Sequence, residues 1–366
     1  MKPHRTFRLL LVAGLLGALA SCSHAAAEPP ARVVAQDFVV RAGELTPPAP
    51  GVIDPPLLFH EALEADRRGD VSEARLLYER LLADFPQTEL KAAVLFNLGL
   101  LSEGRPDYAA AAGYYEQVGA VPIPTVTSER RTWLDANFRL GVCFSKIREW
   151  WRAVRAFDRI VEEAWVQDDD RLEALVGRGI ALKEAGDAEA AAASFSLALS
   201  VYRKLSEAGP FDDRGLAAEA AYWSGEIKAE QFATVRLEFP LALLRERLEH
   251  KCELLLEAQG LYFRAIHYGD AHTAAVAGLR IGWLYESLYN MVTGLEVPAD
   301  LSVEQAEVYD QEVRTRVMVL AKKALIAYER SLQVGRRAPT AAPWVARLEE
   351  AVARLRSVYL SQEGGT

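Results

Sequence analysis

Small and apolar residues recur along this chain at one offset, with charged positions filling the intervals. A small residue is followed twelve positions later by alanine and, four further on, by an aromatic. Ala62, Ala74 and Tyr78 form the first copy; Gly99, Ala111 and Tyr115 form the second. Gly141, Ala153 and Phe157 form the third, and Gly179, Ala191 and Phe195 the fourth. Pro86 and Pro122 close the first two copies, where proline stops a helix because it lacks an N–H and clashes with the preceding turn. Each copy predicts two helices, joined in three cases at Gly69-Asp70, Pro106-Asp107 and Gly186-Asp187. Glycine tolerates positive φ at such a turn, and aspartate caps the helix that follows.

The offset then lengthens. Gly225 is followed by Ala258, Tyr262 and Ala265 only after 33 residues, and Gly282 by Ala324 and Tyr328 after 42. Residues 241–258 and 303–333 are helical in composition and free of interior glycine and proline, so longer helix pairs are expected there. A last helix over 343–361, with Pro343 in its first turn, is expected to cap the stack. The expected fold class is all-α.

These positions resemble the tetratricopeptide repeat (TPR), a helix pair of about 34 residues. The resemblance covers about three-quarters of the chain and implies a TPR-type α-solenoid of antiparallel helix pairs. It places four regular repeats at 55–210, two enlarged ones at 211–338, a capping helix at 339–361 and a disordered tail at 362–366. Gly69 to Gly99, with Tyr78, Phe85-Pro86 and Leu98-Gly99, looks like TPR lipoproteins of outer-membrane assembly and envelope maintenance. Residues 279–286, Leu-Arg-Ile-Gly-Trp-Leu-Tyr-Glu, look like TPR lipoproteins of myxobacterial gliding-motility machines.

The amino terminus carries an address. Lys2, Arg5 and Arg8 precede an apolar stretch over residues 9–20, too short for a permanent span, which needs about 20 residues. Leu19-Ala20-Ser21-Cys22 resembles the lipobox of bacterial lipoproteins. That family implies a signal peptide over 1–21, cleavage before Cys22, and a diacylglyceryl thioether and amine acylation, the sites of palmitate, on Cys22. Ser23, where an inner-membrane protein usually has aspartate, implies the periplasmic face of the outer membrane. The alternative is ordinary cleavage after Ala20 or Ala27, leaving a soluble periplasmic protein. Residues 22–54 read as a tether: seven prolines lie between Pro29 and Pro56, giving a reach of roughly 30 Å as a coil or about 100 Å extended. Within it, Val33 to Val40 is apolar and β-prone, suited either to a partner's sheet edge or to the first repeat.

In TPR proteins the first helix of each pair lines a concave groove. Transferring that frame assigns Phe96 and Leu100, Phe138 and Val142, and Val176 and Ile180 as protein-binding residues, with Tyr222 and Trp283 in the enlarged copies. The row is apolar, flanked by Glu103, Lys146, Lys183, Glu226 and Glu286, and lacks the paired lysines and asparagines that clamp a terminal carboxylate. It is suited to an amphipathic helix or apolar peptide of an envelope protein. The alternative is that these residues are core, or are covered by the last helix or a second copy.

Charge and chemistry narrow the classes. The formal charge is −9, and −12 without the three signal cations, so nucleic acid has no electrostatic attraction here. Half the residues are apolar and a quarter charged, as in a folded protein. No phosphate loop, nucleophile elbow or dinucleotide fingerprint occurs, and no cofactor beyond the lipid is expected. Cys143 and Cys252 read as small buried hydrophobes, His267 and His272 lack helical zinc spacing, and Asp168-Asp169-Asp170 reads as a helix start. Trp150-Trp151 could form a sugar platform, but one ring at least is expected to pack. A scaffold or assembly factor, not an enzyme, is therefore expected. The alternatives are a regulator of a peptidoglycan-acting enzyme, which would draw on His250 or Cys252, and an assembly lipoprotein for outer-membrane proteins or a pilus secretin.

Overall fold

The computed structural model describes residues 54–120, 126–209, 211, 213–269, 271–297, 301–337 and 341–363. The signal sequence, Cys22 and all of the tether but Asp54 lie outside them. Among the described residues every regular element is a helix. In chain order these are α1 Pro55–Arg67, α2 Val71–Asp84, α3 Lys91–Glu103, α4 Tyr108–Gly119, α5 Thr127–Lys146 and α6 Trp150–Glu162. Then come α7 Asp168–Glu184, α8 Ala188–Ala208, α9 Arg214–Thr234, α10 Leu241–Tyr268, α11 Ala271–Thr293, α12 Val303–Gly335 and α13 Ala342–Glu363. The chain divides into two compact units within α8, after Ser194.

In the unit ending at Ser194 the three predicted turns, and a fourth at Arg148-Glu149, are one structure repeated. The amides of Asp70, Asp107, Glu149 and Asp187 donate to the carbonyls of Ala65, Ser102, Phe144 and Leu182, at 2.8 to 3.0 Å. Each bond spans five residues and closes the preceding helix. Three of the four then start the next helix with a side-chain cap: Asp70, Asp107 and Asp187 accept the amides of Glu73, Ala110 and Ala190. Gly69 and Gly186 hold the positive φ, 78° and 91°, that these turns require.

The small residues make room for rings. A Cβ added to Gly99 or Gly141 would lie closer than 3.0 Å to the ring of Tyr115 or Phe157. In the other unit, Gly225 and Gly282 face Tyr262 and Tyr328 in the same way. The aromatic thus seats directly on the small residue of its own pair. Tyr78, Tyr115, Tyr262 and Tyr328 are all almost wholly enclosed.

Two helix ends are closed by a cation from a later helix. After α6, the Arg171 guanidinium donates to the carbonyls of Val161 at 2.7 Å and of Glu163 and Val166 at 2.9 Å. After α9, fully buried Lys251 donates from Nζ to the carbonyls of Phe232 and, at 2.7 Å, Val235. Both groups satisfy acceptors that a helix terminus leaves open.

The enlarged pairs are α9–α10 and α11–α12. Helix α10 does not stop at Gly260 but runs 28 residues to Tyr268, and α12 runs 33, about 50 Å of helix. The first buried residue of α12 is Val313; Val303 and Val308 before it are exposed. Ser302 and Gln305 start this helix with a reciprocal capping box. Helix α13 buries Leu348, Ala351, Val352 and Leu355, and extends two residues beyond the predicted 361 into the expected tail.

Candidate partner-binding surface

In the unit ending at Ser194, Leu100, Val142 and Ile180 each follow the small residue of α3, α5 and α7, and each is half-buried. Four positions earlier, Phe96, Phe138 and Val176 are buried. The reason is local: Phe96 packs 5.6 Å from Tyr115 and Phe138 6.5 Å from Phe157, centroid to centroid, so these rings complete the interior of their own pairs. In the other unit Tyr222 is likewise buried, 5.7 Å from Tyr262. The predicted row therefore narrows. Leu100, Val142, Ile180 and Trp283 keep accessible surface; Phe96, Phe138, Val176 and Tyr222 belong to the core.

The acidic groups flanking the row are not free. Glu103 accepts the Tyr115 hydroxyl at 2.6 Å and the Arg139 guanidinium at 3.2 Å. Glu226 accepts the Tyr262 hydroxyl and, at 2.6 Å, Arg280 Nε. Glu286 accepts the Tyr328 hydroxyl at 2.7 Å and Arg354 twice, at 2.7 and 2.9 Å. Each triad takes its glutamate from the first helix of a pair, its tyrosine from the second and its arginine from a later helix. Burial first, and then the neighbouring carboxylate, hold the Tyr115, Tyr262 and Tyr328 phenols well above their ordinary range.

The partner of the aromatic is matched to its chemistry. Arg139 and Arg280 stand two residues before Gly141 and Gly282. In the corresponding place Asn97 donates to the Tyr78 hydroxyl at 3.0 Å. Gly177 occupies that place opposite Phe157, which has no hydroxyl, and a Cβ there would strike the ring. A signal for the triads was present in the chain: Ala136-x-x-Arg139-Leu140, Ala277-x-x-Arg280-Ile281 and Ala351-x-x-Arg354-Leu355 share one pattern.

Trp283 lines a cleft of about 420 Å³ together with Glu286, Ser287, Asn290, Met291 and Arg354. Its ring meets Phe232 edge-on at 6.1 Å, with the Arg280 guanidinium 4.8 Å away over the indole. The cleft has an aromatic wall, a neutralised Glu286–Arg354 pair and one exposed amide, Asn290.

The residues considered for chemistry are dispersed. Cys143 and Cys252 are free and buried, and burial pushes their thiols up to about 12 and about 11, far from reactive thiolates. His250 is exposed and lies 3.6 Å from Glu253. His267 packs on Tyr268. Among the described residues no group of three or more His, Cys, Asp or Glu side chains could hold a metal. Asp168, Asp169 and Asp170 occupy the first turn of α7, with Asp170 3.2 Å from Arg131. Trp150 is half-buried while Trp151 is exposed. Lys251, whose capping role no sequence pattern announced, has its ammonium 4.1 Å from the Phe232 ring, and burial lowers its pKa to about 8.

No family model matches this chain, and no curated protein is similar to it. Solved structures with a likeness include the apo form of RapI, at 11% identity over 83% of this chain and 100% of that one, TM-score 0.44. A tetratricopeptide repeat protein from Parabacteroides merdae is 14% identical over 82% of this chain and 98% of its own, TM-score 0.36. The assembly chaperone of RpL4, Acl4, is 14% identical over 86% and 100%, TM-score 0.29. Likeness at this level concerns helix-pair architecture and carries nothing about ligands. The TPR-type pairing rests on the chain's own turns and ring seats.

Proposed function

We propose that this chain is a protein-interaction scaffold, held at the periplasmic face of the bacterial outer membrane by lipid on Cys22. The observation that carries the binding role is the row Leu100, Val142 and Ile180: three partly exposed aliphatic residues at equivalent places on three consecutive repeats. An amphipathic helix or apolar peptide of an envelope protein would lie along such a row, reading it through alternate apolar anchors. The anchor and tether would confine the row near membrane-bound partners and raise its effective concentration. Several acyl chains make such anchoring stable, since each buried methylene contributes about 0.8 kcal/mol. Among the described residues no helix is long and apolar enough to cross a membrane.

Two measurements test this reading. Cys22→Ala should abolish palmitate labelling and release the protein from the membrane fraction; unchanged labelling refutes the anchor. Leu100→Ser with Val142→Ser should lose the crosslinked partners captured by the wild-type chain while keeping its helical circular dichroism. Equal capture by both proteins refutes the row.

A further inference from the structure

Helix α13 does more than cover the end of its unit. Its Ala351-x-x-Arg354-Leu355 segment makes the contacts that Ala277-x-x-Arg280-Ile281 makes on the preceding triad. In both, the alanine and the aliphatic residue after the arginine are buried, and the guanidinium answers a glutamate already bonded to a tyrosine. By its contacts, α13 is therefore a first helix of a further pair, laid on α11 and α12. One position differs. Where α5 and α11 have Gly141 and Gly282, α13 has Arg356, which pairs with Glu329 at 2.6 Å and seats no ring.

The Arg354 contact is more open to solvent than its counterparts. The Arg354 side chain keeps 52% of its surface exposed, against 14% for Arg139 and 26% for Arg280. Glu286 beneath it is 9% exposed with α13 in place, so any helix that covers this carboxylate must supply a cation, because a buried unpaired charge is strongly unfavourable. The cleft beside Trp283 and Met291 opens along the same edge.

We propose that the Glu286–Tyr328 site is a docking place for a helix bearing an arginine, and that α13 is its built-in, exchangeable occupant. The external ligand is an amphipathic helix with a small residue three before the arginine and an aliphatic residue directly after it. It would replace the contacts of α13 one for one, so that exchange costs little apolar burial. The inference deepens the scaffold reading by naming a partner class at Trp283, a place separate from the Leu100 row.

The test uses the full chain and a labelled synthetic peptide of residues 342–363, followed by fluorescence anisotropy. Leu348→Ala with Leu355→Ala weakens the resident helix, and this variant should bind the peptide at least roughly tenfold more tightly than wild type. Adding Glu286→Gln should abolish that binding, as should Arg354→Glu in the peptide. No binding by the folded double variant overturns the proposal, as does binding unaffected by Glu286→Gln. If the double variant does not fold, hydrogen exchange on the wild-type chain decides. Amides of α13 should exchange well ahead of those of α12, and joint protection of the two overturns exchangeability. Capture of partners through Leu100 and Val142, with no peptide binding here, would remove this site and leave the scaffold standing.

Discussion

A buried phenol is a commitment to remaining neutral. Tyr78, Tyr115, Tyr262 and Tyr328 sit on small residues with no water to stabilise a phenolate, and burial raises all four above the ordinary value of 10.0. The folded chain therefore keeps these protons when the unfolded chain has begun to lose them. Stability contributed by the four is complete below pH ~10 and falls above it, by about 1.4 kcal/mol per pH unit for each tyrosine. Tyr328→Phe should lessen that alkaline slope by one tyrosine's share in urea unfolding measured across pH. At neutral pH it should lower stability by about 1.5 to 3 kcal/mol, the worth of a hydrogen bond to a charged group. An unchanged slope would show that Tyr328 ionises in the folded state. Glu286 keeps its two bonds from Arg354 in that variant, so the site is expected to stay intact.

At the scale of elements, the regular helices were legible because their boundaries are written in local chemistry. Asp70, Asp107 and Asp187 could be read as caps without knowing anything distant. The end of α6 could not. It depends on Arg171, which lies in the following helix and gathers three carbonyls from the turn behind it. Likewise Gly260 ends the glycine-free stretch, yet α10 passes through it, since one helical glycine costs only about 1 kcal/mol against packing on both sides. Arg171→Met should leave three acceptors without their donor and destabilise the protein by about 2 to 4 kcal/mol in urea unfolding. Arg171→Lys should recover only part of this loss, because a single ammonium cannot span the same fork. Full recovery by lysine would mean that charge alone, not geometry, closes the turn.

For the molecule as a whole, repetition makes stability nearly a sum of neighbouring contacts. Gly99 and Gly282 lie in different compact units and receive different rings. Alanine at either should force its tyrosine aside, at about 1 to 3 kcal/mol. The double variant should lose the sum of the two within about 0.5 kcal/mol; a larger discrepancy in urea unfolding would reveal coupling between the units. The candidate surface was less legible than the repeats for a related reason. A helical frame identifies which residues face a groove, but Phe96 and Leu100 share a face and differ only in whether a ring from the next helix covers them. That distinction depends on contacts made twelve or more residues away.

The two buried thiols give the architecture a temporal meaning. Cys143 and Cys252 sit in different units, enclosed by packing that exists only once each unit has formed. Before that, both sulfurs are open to any oxidant, and a mistaken bond between them would tie together segments that the finished fold keeps in separate units. Each unit thus shields its own sulfur as it closes, so the interval in which an oxidant could reach either thiol ends when that unit folds.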